Sequence, residues 1–456
     1  MPLSRRDGRG IWSRATCLTA AISLGAATPL FAQDAPRVDP SSPSVRLNVS
    51  FLDALAAQKK GKQTAYFRWT PHPTLHIGKF QVALRARVQL DSRKSDAPIG
   101  GDEEDVSFDV ARRRIGIEGQ YGKYVEYQVE REIADDIDPW RDVYVNYKQF
   151  DQGQFQYGKF KIPFSLDENT SPTNLDFVYR SLAANTLAPG RDRGWMVHGR
   201  VLDRIFRYEY GMFKHDGANA RSNKHPERVY GGETRALRLS AQPLRHMGDL
   251  AEDFHVGVAW TWSDVPEGLS ALHGQTVFSQ SFFSTRYIVF GERKRSGVEL
   301  RWRPGPFSVK YEYIKLTQER VGESVEDTDL SPLRSIGWYL SGTWAITGEK
   351  KADGLDEPRR PLFQGGFGAI EAAARVERLT FDSLSTLTDL PSKSPRADRV
   401  LANSDRVVTL GVNWYANRWV KVQFNLIQET LTDPAEGPLP SKPTFWSRVL
   451  RFQFQL

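Results

Sequence analysis

The sequence predicts an all-β protein: a transmembrane antiparallel β-barrel of about 16 strands, with short periplasmic turns and long outer loops. Between Phe80 and Glu429 the chain repeats a stretch of alternating apolar and polar residues, a very short turn, a second such stretch and a long polar loop. Aromatic residues make up 12% of the chain, as expected for the aromatic girdles of such barrels. The mean hydropathy is −0.49, and no apolar run of about 18 residues follows the N-terminus, which excludes a bundle of membrane helices.

The N-terminal segment 1–32 is predicted to be a cleaved signal peptide, because four arginines precede a moderately apolar stretch that ends at Ala32. The only cysteine, Cys17, lies in this segment, so the mature chain is expected to have no disulfide and no thiolate chemistry. The segment carries four Arg and one Asp, which leaves a mature net charge of +7 − 3 = +4. This charge is far from a nucleic-acid-binding profile, so no nucleic-acid partner is expected.

The mature chain divides into a periplasmic linker, 33–79, which is rich in proline and lysine, and a barrel domain, 80–456. An even number of strands is expected, because a closed barrel with both termini on one side requires it. A further hairpin near 282–289 would change the number by two. The predicted strands are 80–91, 108–120, 124–133, 140–149, 152–162, 194–202, 204–214, 233–242, 254–263, 295–303, 306–317, 334–347, 367–380, 405–417, 420–430 and 444–456.

The two faces of each predicted strand carry the functional argument, because in such a barrel the apolar face meets lipid and the polar face lines the lumen. By this parity Ile115, Val258 and Leu426 face lipid. The residues of opposite parity, which face the lumen, include Arg207, Arg238, Arg301, Lys310, Glu312, Glu371 and Glu377. Basic residues lead modestly on the opposite face, and arginines on a pore wall favour anions. Alternatively, opposite charges line the lumen only to pair across strands and keep it wet. The strongest basic group lies on two neighbouring strands and comprises Arg85, Arg87, Arg112 and Arg114.

A series of segments, in order along residues 75–456, resembles the phosphate-selective porin family, also called the porin O and porin P family. The resemblance implies a homotrimeric outer-membrane channel of sixteen strands that passes anions, in some members with a preference for phosphate or polyphosphate. The best-known members use an arginine ladder on the pore wall. The matching segments are 108–119 with its Arg112-Arg113-Arg114 run, 142–147, 158–171, 179–181, 346–349, 371–375 and 411–415 with Asn417.

In porins the third outer loop, here 163–193, folds into the pore, so its arginines Arg180, Arg191 and Arg193 join the predicted anion pathway. Two features depart from the family pattern. The loop has three arginines and four acidic residues, a net charge of −1, which is poor for an anion filter. The chain also ends in Leu456, whereas outer-membrane barrels usually end in an aromatic residue.

The alternatives are a general, weakly selective porin, a structural or adhesive barrel, and a barrel enzyme. An enzyme would need Ser/His or Asp/His groups at the rim. His72 and His76 have the spacing of metal ligands on a helix, but Pro71 and Pro73 argue against a helix there. The sequence therefore predicts no catalytic residue, no metal site and no cofactor. The predicted partners are phosphate or other small anions, outer-membrane lipid and lipopolysaccharide, and further copies of the chain in a homotrimer.

Overall fold

In the computed structural model, 16 antiparallel strands close into a barrel, which confirms the predicted fold class. The described residues are 65–69, 72–99, 106–221, 228–229, 231–270, 272–283, 288–355, 357–383, 390–393 and 402–456. The predicted signal peptide, 1–32, and most of the predicted linker, 33–79, lie outside them. Within these described ranges, no helix is both long and apolar enough to cross a membrane.

The sixteen barrel strands are β3 to β11 and β14 to β20, and the six shortest of them, β5 to β10, are neighbours in the wall. In chain order the strands are β1 (Ala65–Arg68), β2 (Thr74–Ile77), β3 (Phe80–Ser95), β4 (Val106–Tyr121), β5 (Val125–Glu132), β6 (Trp140–Phe150), β7 (Gly153–Lys161), β8 (Arg191–Val201), β9 (Phe206–Phe213), β10 (Thr234–Ala241), β11 (His255–Leu269), β12 (Gly274–Gln275), β13 (Ser281–Phe283), β14 (Ile288–Trp302), β15 (Phe307–Arg320), β16 (Leu330–Ala345), β17 (Ala369–Ser383), β18 (Asn403–Tyr415), β19 (Val420–Leu431) and β20 (Thr444–Gln455).

The last strand closes the barrel by pairing with the first. The register of β20 on β3 runs from Ser447 opposite Ser95 to Gln455 opposite Arg87. The first residues of β3, before the part that pairs with β20, pair with β2, and β2 pairs with β1. The final residues of the predicted linker therefore form a hairpin that continues the sheet at the short-turn end.

Short turns and long loops alternate around most of the barrel, but the turns at 242–254 and 346–368 are longer than the other turns. The hairpin suspected near 282–289 does not add a barrel strand. Of the residues there, Phe282 and Phe283 belong to a separate two-stranded ribbon, β12 and β13, and Ile288 and Val289 begin β14, whereas 284–287 lie outside the described residues. The sixteen-strand count therefore stands.

The outer surface shows the expected apolar parity. Ile115 and Val145 are exposed, whereas the lumen-facing partners on the same strands are more buried. A ring of exposed aromatic side chains marks the short-turn end, where a membrane interface is expected. It includes Phe80, Tyr121, Tyr124, Tyr147, Phe150, Trp302, Phe307, Trp344 and Phe367.

Candidate functional site: the permeation pathway

The third outer loop, residues 162–190, folds into the barrel, as predicted. It contains two short helices, α1 (Leu166–Asn169) and α2 (Leu182–Leu187). Ser165 caps α1 by accepting a hydrogen bond from a backbone N–H of the first turn, and Ser181 caps α2 in the same way. These caps fix where each helix begins inside the lumen.

Two carboxylates bind the N-termini of the helices from the far wall, by which we mean strands β15 to β20. Glu312 of β15 accepts hydrogen bonds from the backbone N–H groups of Leu166 and Asp167 at 3.0 and 3.2 Å. Glu377 of β17 accepts one from the N–H of Leu182 at 2.6 Å. A carboxylate is favourable at a helix N-terminus because it satisfies donors that have no partner within the helix. The acidic residues predicted for this part of the lumen therefore anchor the loop.

The segment between the two helices crosses to β19 and β20. Lys421 donates to the carbonyl of Leu175 at 2.7 Å. Asn425 accepts from the N–H of Val178 at 2.8 Å, and Arg451 donates to the carbonyl of Val178 at 2.6 Å. Side chains from two strands thus satisfy the backbone of a loop that has no sheet partner.

A buried ion-pair group, which we call the lysine clamp, fixes the middle of the loop. Asp176 lies 2.7 Å from Lys310 of β15 and 2.8 Å from Lys351, and Lys351 also pairs with Glu371 of β17. Lys351 comes from the long turn between β16 and β17 and is only 2% exposed. Burial opposes ionisation of Asp176, but the two lysines hold the pKa of its carboxyl well below the usual value. Burial would also lower the pKa of Lys351, yet its two carboxylate partners raise it.

An apolar core fills the far half of the lumen, and this corrects the expectation that inward-facing residues are uniformly polar. Side chains of α2 pack there with the first and fifth outer loops and with inward-facing residues of the far strands. Such a core excludes water from this half of the barrel. Its members include Ala97, Ile99, Phe164, Leu182, Leu187, Phe278, Phe282, Ile314, Leu333, Phe381, Val407, Ile427 and Phe445.

The open passage runs along the near wall, between the loop and strands β3 to β9. A cavity of about 300 Å³ lies at this level, and its lining has five cationic and three acidic side chains, a difference of 5 − 3 = +2. The cations are Arg85, Arg87, Lys161, Arg191 and Arg207, and the acids are Glu130, Asp142 and Glu209.

Two of the arginines predicted for the anion pathway line this cavity from β3. Arg85 pairs with Glu118 on the neighbouring strand. Arg87 lies 4.0 Å from Glu130, at the limit of an ion pair. Within the part of the chain that the structure describes, the Nε atom of Arg87 has no hydrogen-bond partner, although it is buried. Arg87 is therefore the less neutralised of the two.

The two predicted arginines on β4 lie on the neighbouring strand, where Arg114 stands directly opposite Arg87. Arg112 donates to the side-chain oxygen of Gln89 at 2.6 Å. Arg114 pairs with Glu130 at 3.2 Å and with Glu132 at 2.8 Å. Neither belongs to the cavity lining, so their charge acts on the passage through the field rather than by contact.

The three predicted arginines of the third-loop region take different places. Arg180 donates to backbone carbonyls that end α1 and lies 3.0 Å from Glu168, so it holds the loop together. Arg191 lines the cavity and makes a two-pronged contact with Asp142, at 2.9 and 3.2 Å. Arg193 instead lies on the outer face of β8, beside Trp195, which corrects its predicted place in the pore.

A second cavity, of about 490 Å³, continues the passage toward the short-turn end. We call this cavity the arginine mouth. It shares Asn169, Ser171 and Arg207 with the first cavity. Its lining has six arginines and one carboxylate, a difference of 6 − 1 = +5. The arginines are Arg200, Arg204, Arg207, Arg238, Arg245 and Arg301, and the carboxylate is Asp353.

Some of the mouth arginines also bind carboxylates outside the cavity lining. Arg238 bridges Glu209 and Glu299, at 3.2 Å from the first, and Arg301 lies 3.0 Å from Asp253. Arg204 lies 2.7 Å from Asp151, and Arg207 lies 2.6 Å from Glu209. Arg200 and Arg207 stand directly opposite each other on β8 and β9. Like charges in direct cross-strand register repel. Arg207 is also paired with Glu209, so Arg200 is the less neutralised of the two.

Sequence parity had placed Arg207, Arg238 and Arg301 in the lumen, but not Arg200, Arg204 and Arg245. Arg200 continues the inward parity of Met196 and His198 on β8, and this signal was available in the sequence. Arg204 and Arg245 lie in turns, where alternation gives no direction. Across the described ranges, no group of three or more His, Cys, Asp or Glu side chains could hold a metal ion.

A closed barrel with an inward-folded third loop, an aromatic girdle and a charged passage defines an outer-membrane channel, a porin. The chain belongs to the family described as phosphate-selective porin O and P, whose sequence profile matches residues 82–456. The protein therefore resides in the outer membrane.

Among curated relatives, an uncharacterised protein of Caulobacter vibrioides is 24% identical over 328 residues. That match covers 68% of this chain and 64% of the relative, so the chain spans slightly less than two thirds of its length. Porin O of Pseudomonas aeruginosa is 20% identical over 381 residues, covering 75% of this chain and 82% of Porin O.

Two solved structures share the fold. The anion-selective porin from Comamonas acidovorans has a TM-score of 0.50 and 10% identity, covering 83% of this chain and 100% of that porin. The trimer form of OmpT from Vibrio cholerae has a TM-score of 0.51 and 12% identity, covering 83% of this chain and 99% of OmpT.

Proposed function

We propose that this channel conducts small anions, phosphate among them, through the open near half of the barrel. The main observation that supports this proposal is the uneven distribution of charge in the lumen. Acidic side chains of the far wall, such as Glu312, Glu371 and Glu377, are buried under the third loop, where they bind backbone N–H groups and Lys351. The open passage presents more cations than carboxylates on its surface, both in the upper cavity and in the arginine mouth. Fixed cations in a narrow, low-dielectric passage concentrate anions.

Phosphate suits this passage for a chemical reason. Guanidinium groups bind phosphate oxygens through paired hydrogen bonds, and Arg200 and Arg207 face each other in the mouth. On the upper wall we assign Arg85, Arg87 and Arg191 to direct contact with the permeating anion. Arg112 and Arg114 contribute charge from the neighbouring strand. Diffusion is the proposed activity, without catalysis and without a cofactor.

A general, weakly selective porin is the second candidate. It is favoured by one observation: Arg85, Arg114 and Arg191 each pair with a carboxylate on the near wall. The opposite charges of such a pair largely cancel, so the pair exerts little electric field on an ion elsewhere in the passage. The two candidates differ in how strongly the passage separates anions from cations.

Reversal potentials in a salt gradient across a planar bilayer distinguish them. We expect the native channel to prefer anions, more strongly at low salt because the screening length is about 10 Å at 0.1 M. Replacing the mouth arginines Arg200, Arg204 and Arg245 by Gln should move the reversal potential toward no preference. Replacing the upper four, Arg85, Arg87, Arg112 and Arg114, should move it in the same direction, because each substitution removes one positive charge and leaves carboxylates such as Glu118 and Glu132 unbalanced.

The matched control removes three arginines that are exposed on the outer face, Arg113, Arg406 and Arg448, also by Gln. It should leave selectivity unchanged. A native channel that prefers cations would overturn the anion proposal. Added phosphate should reduce the chloride current through the native channel, since a dwelling phosphate occupies the passage. If phosphate leaves the chloride current unaltered, the weakly selective porin is the better description.

We further propose that the chain assembles as a homotrimer. The support is the family and the trimer form described for OmpT, which shares the fold. A mass of one chain for the complex extracted in mild detergent would contradict this assembly.

A further inference from the structure

The outer face of the short-stranded wall carries a row of cations in direct register. Lys159 on β7 stands opposite Arg193 on β8. The backbone N–H of Lys214, the residue after β9, donates to the carbonyl of Arg193 at 2.9 Å, so Lys214 is the next neighbour in the row. Like charges directly opposite each other on neighbouring strands are destabilising unless something compensates them.

Compensation from the protein itself is small. Lys159 pairs with Asp138 of the second outer loop. Within the described residues, Arg193 and Lys214 form no ion pair, and both are exposed. Among the described residues that line the groove introduced next, Glu233 is the only acidic one, against three cations, a difference of 3 − 1 = +2.

An apolar groove of about 720 Å³ lies directly below this row. Its floor repeats the register of the cations: Tyr157 stands opposite Trp195, and Trp195 stands opposite Met212. Gly158 and Gly194 lie between the two rows and carry no side chain to fill the space. The groove continues sideways over Val129, Trp140 and Val143.

The cation row and the apolar floor follow the same order as the headgroup and the acyl chains of a lipid in the outer leaflet. The three strands have their cations at the long-loop end and their apolar residues toward the middle of the wall. A ligand that fits must present anionic groups at the level of the headgroups and hydrocarbon below them. Phosphate groups on a lipid headgroup match the cation row, and acyl chains match the apolar floor.

We propose that this groove binds the phosphorylated glycolipid of the outer leaflet, with the lipid A phosphates on Lys159, Arg193 and Lys214 and one or more acyl chains over Tyr157, Trp195 and Met212. The site is separate from the permeation pathway, since all six side chains lie on the outer face. The proposal also assigns a role to Arg193, which lies on the outer face of β8 and not in the pore.

The test uses purified full-length protein in detergent, with the photoreactive residue benzoylphenylalanine in place of Met212. The protein is titrated with bis-phosphorylated lipid A, irradiated, and the captured fraction is read from gels. Capture should saturate, and lipid A with the same acyl chains but no phosphates should require at least about tenfold more lipid for half-saturation, because each cation near a membrane surface contributes roughly a fivefold gain. The same photoreactive residue at Leu340, exposed on the far wall, should show no such phosphate dependence.

Replacing Lys159, Arg193 and Lys214 by Gln should raise the half-saturating concentration by about tenfold or more. The control removes the same number of outward charges at Arg113, Arg406 and Arg448 and should change it less than about twofold. Unchanged conductance and unchanged heat-dependent gel mobility would show that the triple variant is folded. Equal capture of phosphorylated and dephosphorylated lipid A would overturn the proposal, and so would capture of a second copy of the chain in place of lipid, since the groove would then be a protomer contact.

Discussion

At the scale of single residues, Lys351 shows what sequence reasoning reached and what it missed. Alternation placed Glu371 and Lys310 correctly in the lumen. Lys351 lies in the long turn between β16 and β17, and no sequence period assigns a direction to a turn residue. Its partners Asp176 and Glu371 are distant in sequence. Only the folded loop brings these charges together, so the clamp could not be derived from the chain alone.

Replacing Lys351 by Met should be strongly destabilising. It leaves Glu371 and Asp176 buried with fewer cations, and breaking a buried pair costs roughly 3–5 kcal/mol. The measurement is thermal unfolding of the purified barrel, together with single-channel conductance, which should become larger or noisier as the third loop loosens. Lys350→Met is the matched control: its side chain is 55% exposed and pairs with Glu252, so little change is expected.

The clamp also has a pH signature. The pKa of Asp176 is lowered, so its contribution is present above the usual aspartate range and is lost as pH falls through the lowered value. The pKa of Lys351 is raised, so its contribution is present below the usual lysine range and is lost as pH rises through the raised value. The stability difference between the native protein and Lys351→Met should therefore stay constant between about pH 5 and pH 9. A difference that vanishes near neutral pH would contradict the clamp.

At the scale of elements, most strands could be predicted because an outer face in lipid and an inner face in water impose a period of two. The largest boundary error has a physical cause. β14 was expected from residue 295 but begins at Ile288. Its upper part carries Arg293, which was assigned to the loop, and Arg295, the first residue of the predicted strand. Both face inward and bind the buried Asp216 of the fourth loop, Arg295 at 2.7 Å.

The apolar core of the far half was missed for a related reason. Phe381 and Phe445 point inward, and alternation cannot say whether an inward position meets water or another loop. In the structure Phe283 stacks on Phe381 with ring centroids 4.5 Å apart. The contact joins a loop ribbon to a strand far along the chain, and no local pattern records it.

The packing of α2 against the wall gives a prediction at this scale. A Cβ added at Gly337 of β16 would lie 2.6 Å from the Cβ and 2.8 Å from the Cα of Ala183. Gly337→Val should therefore push α2 toward the open half, lower conductance, and destabilise the barrel by about 1–3 kcal/mol. At Gly342 on the same strand the nearest atom would be 3.7 Å away, so Gly342→Val should leave conductance unchanged. Equal conductance for both variants would show that α2 does not set the width of the passage.

At the scale of the whole molecule, the arrangement of turns and loops fixes the orientation in the outer membrane. The chain has 1 cysteine, and it lies within the predicted signal peptide. Introduced cysteines can therefore report sidedness. Cysteine at Val325, which is 56% exposed in an outer loop, should react in intact cells with a polymer-linked maleimide too large to pass a porin.

Cysteine at Phe363, which is 90% exposed in the turn between β16 and β17, should react only after the outer membrane is permeabilised. Detergent-solubilised protein, in which both sites are accessible, provides the control for reactivity. Labelling of the Phe363 site in intact cells would reverse the assigned orientation.

The lysine clamp also carries information about the order of assembly. Asp176 belongs to a loop that must be carried across the bilayer, whereas Lys351 belongs to a turn that stays on the side from which the chain arrives. The two can meet only in the interior, after the hairpins that carry them have crossed and the wall between them has closed. The clamp is therefore a late event in biogenesis, and a barrel that has inserted without it is an open, unfinished tube.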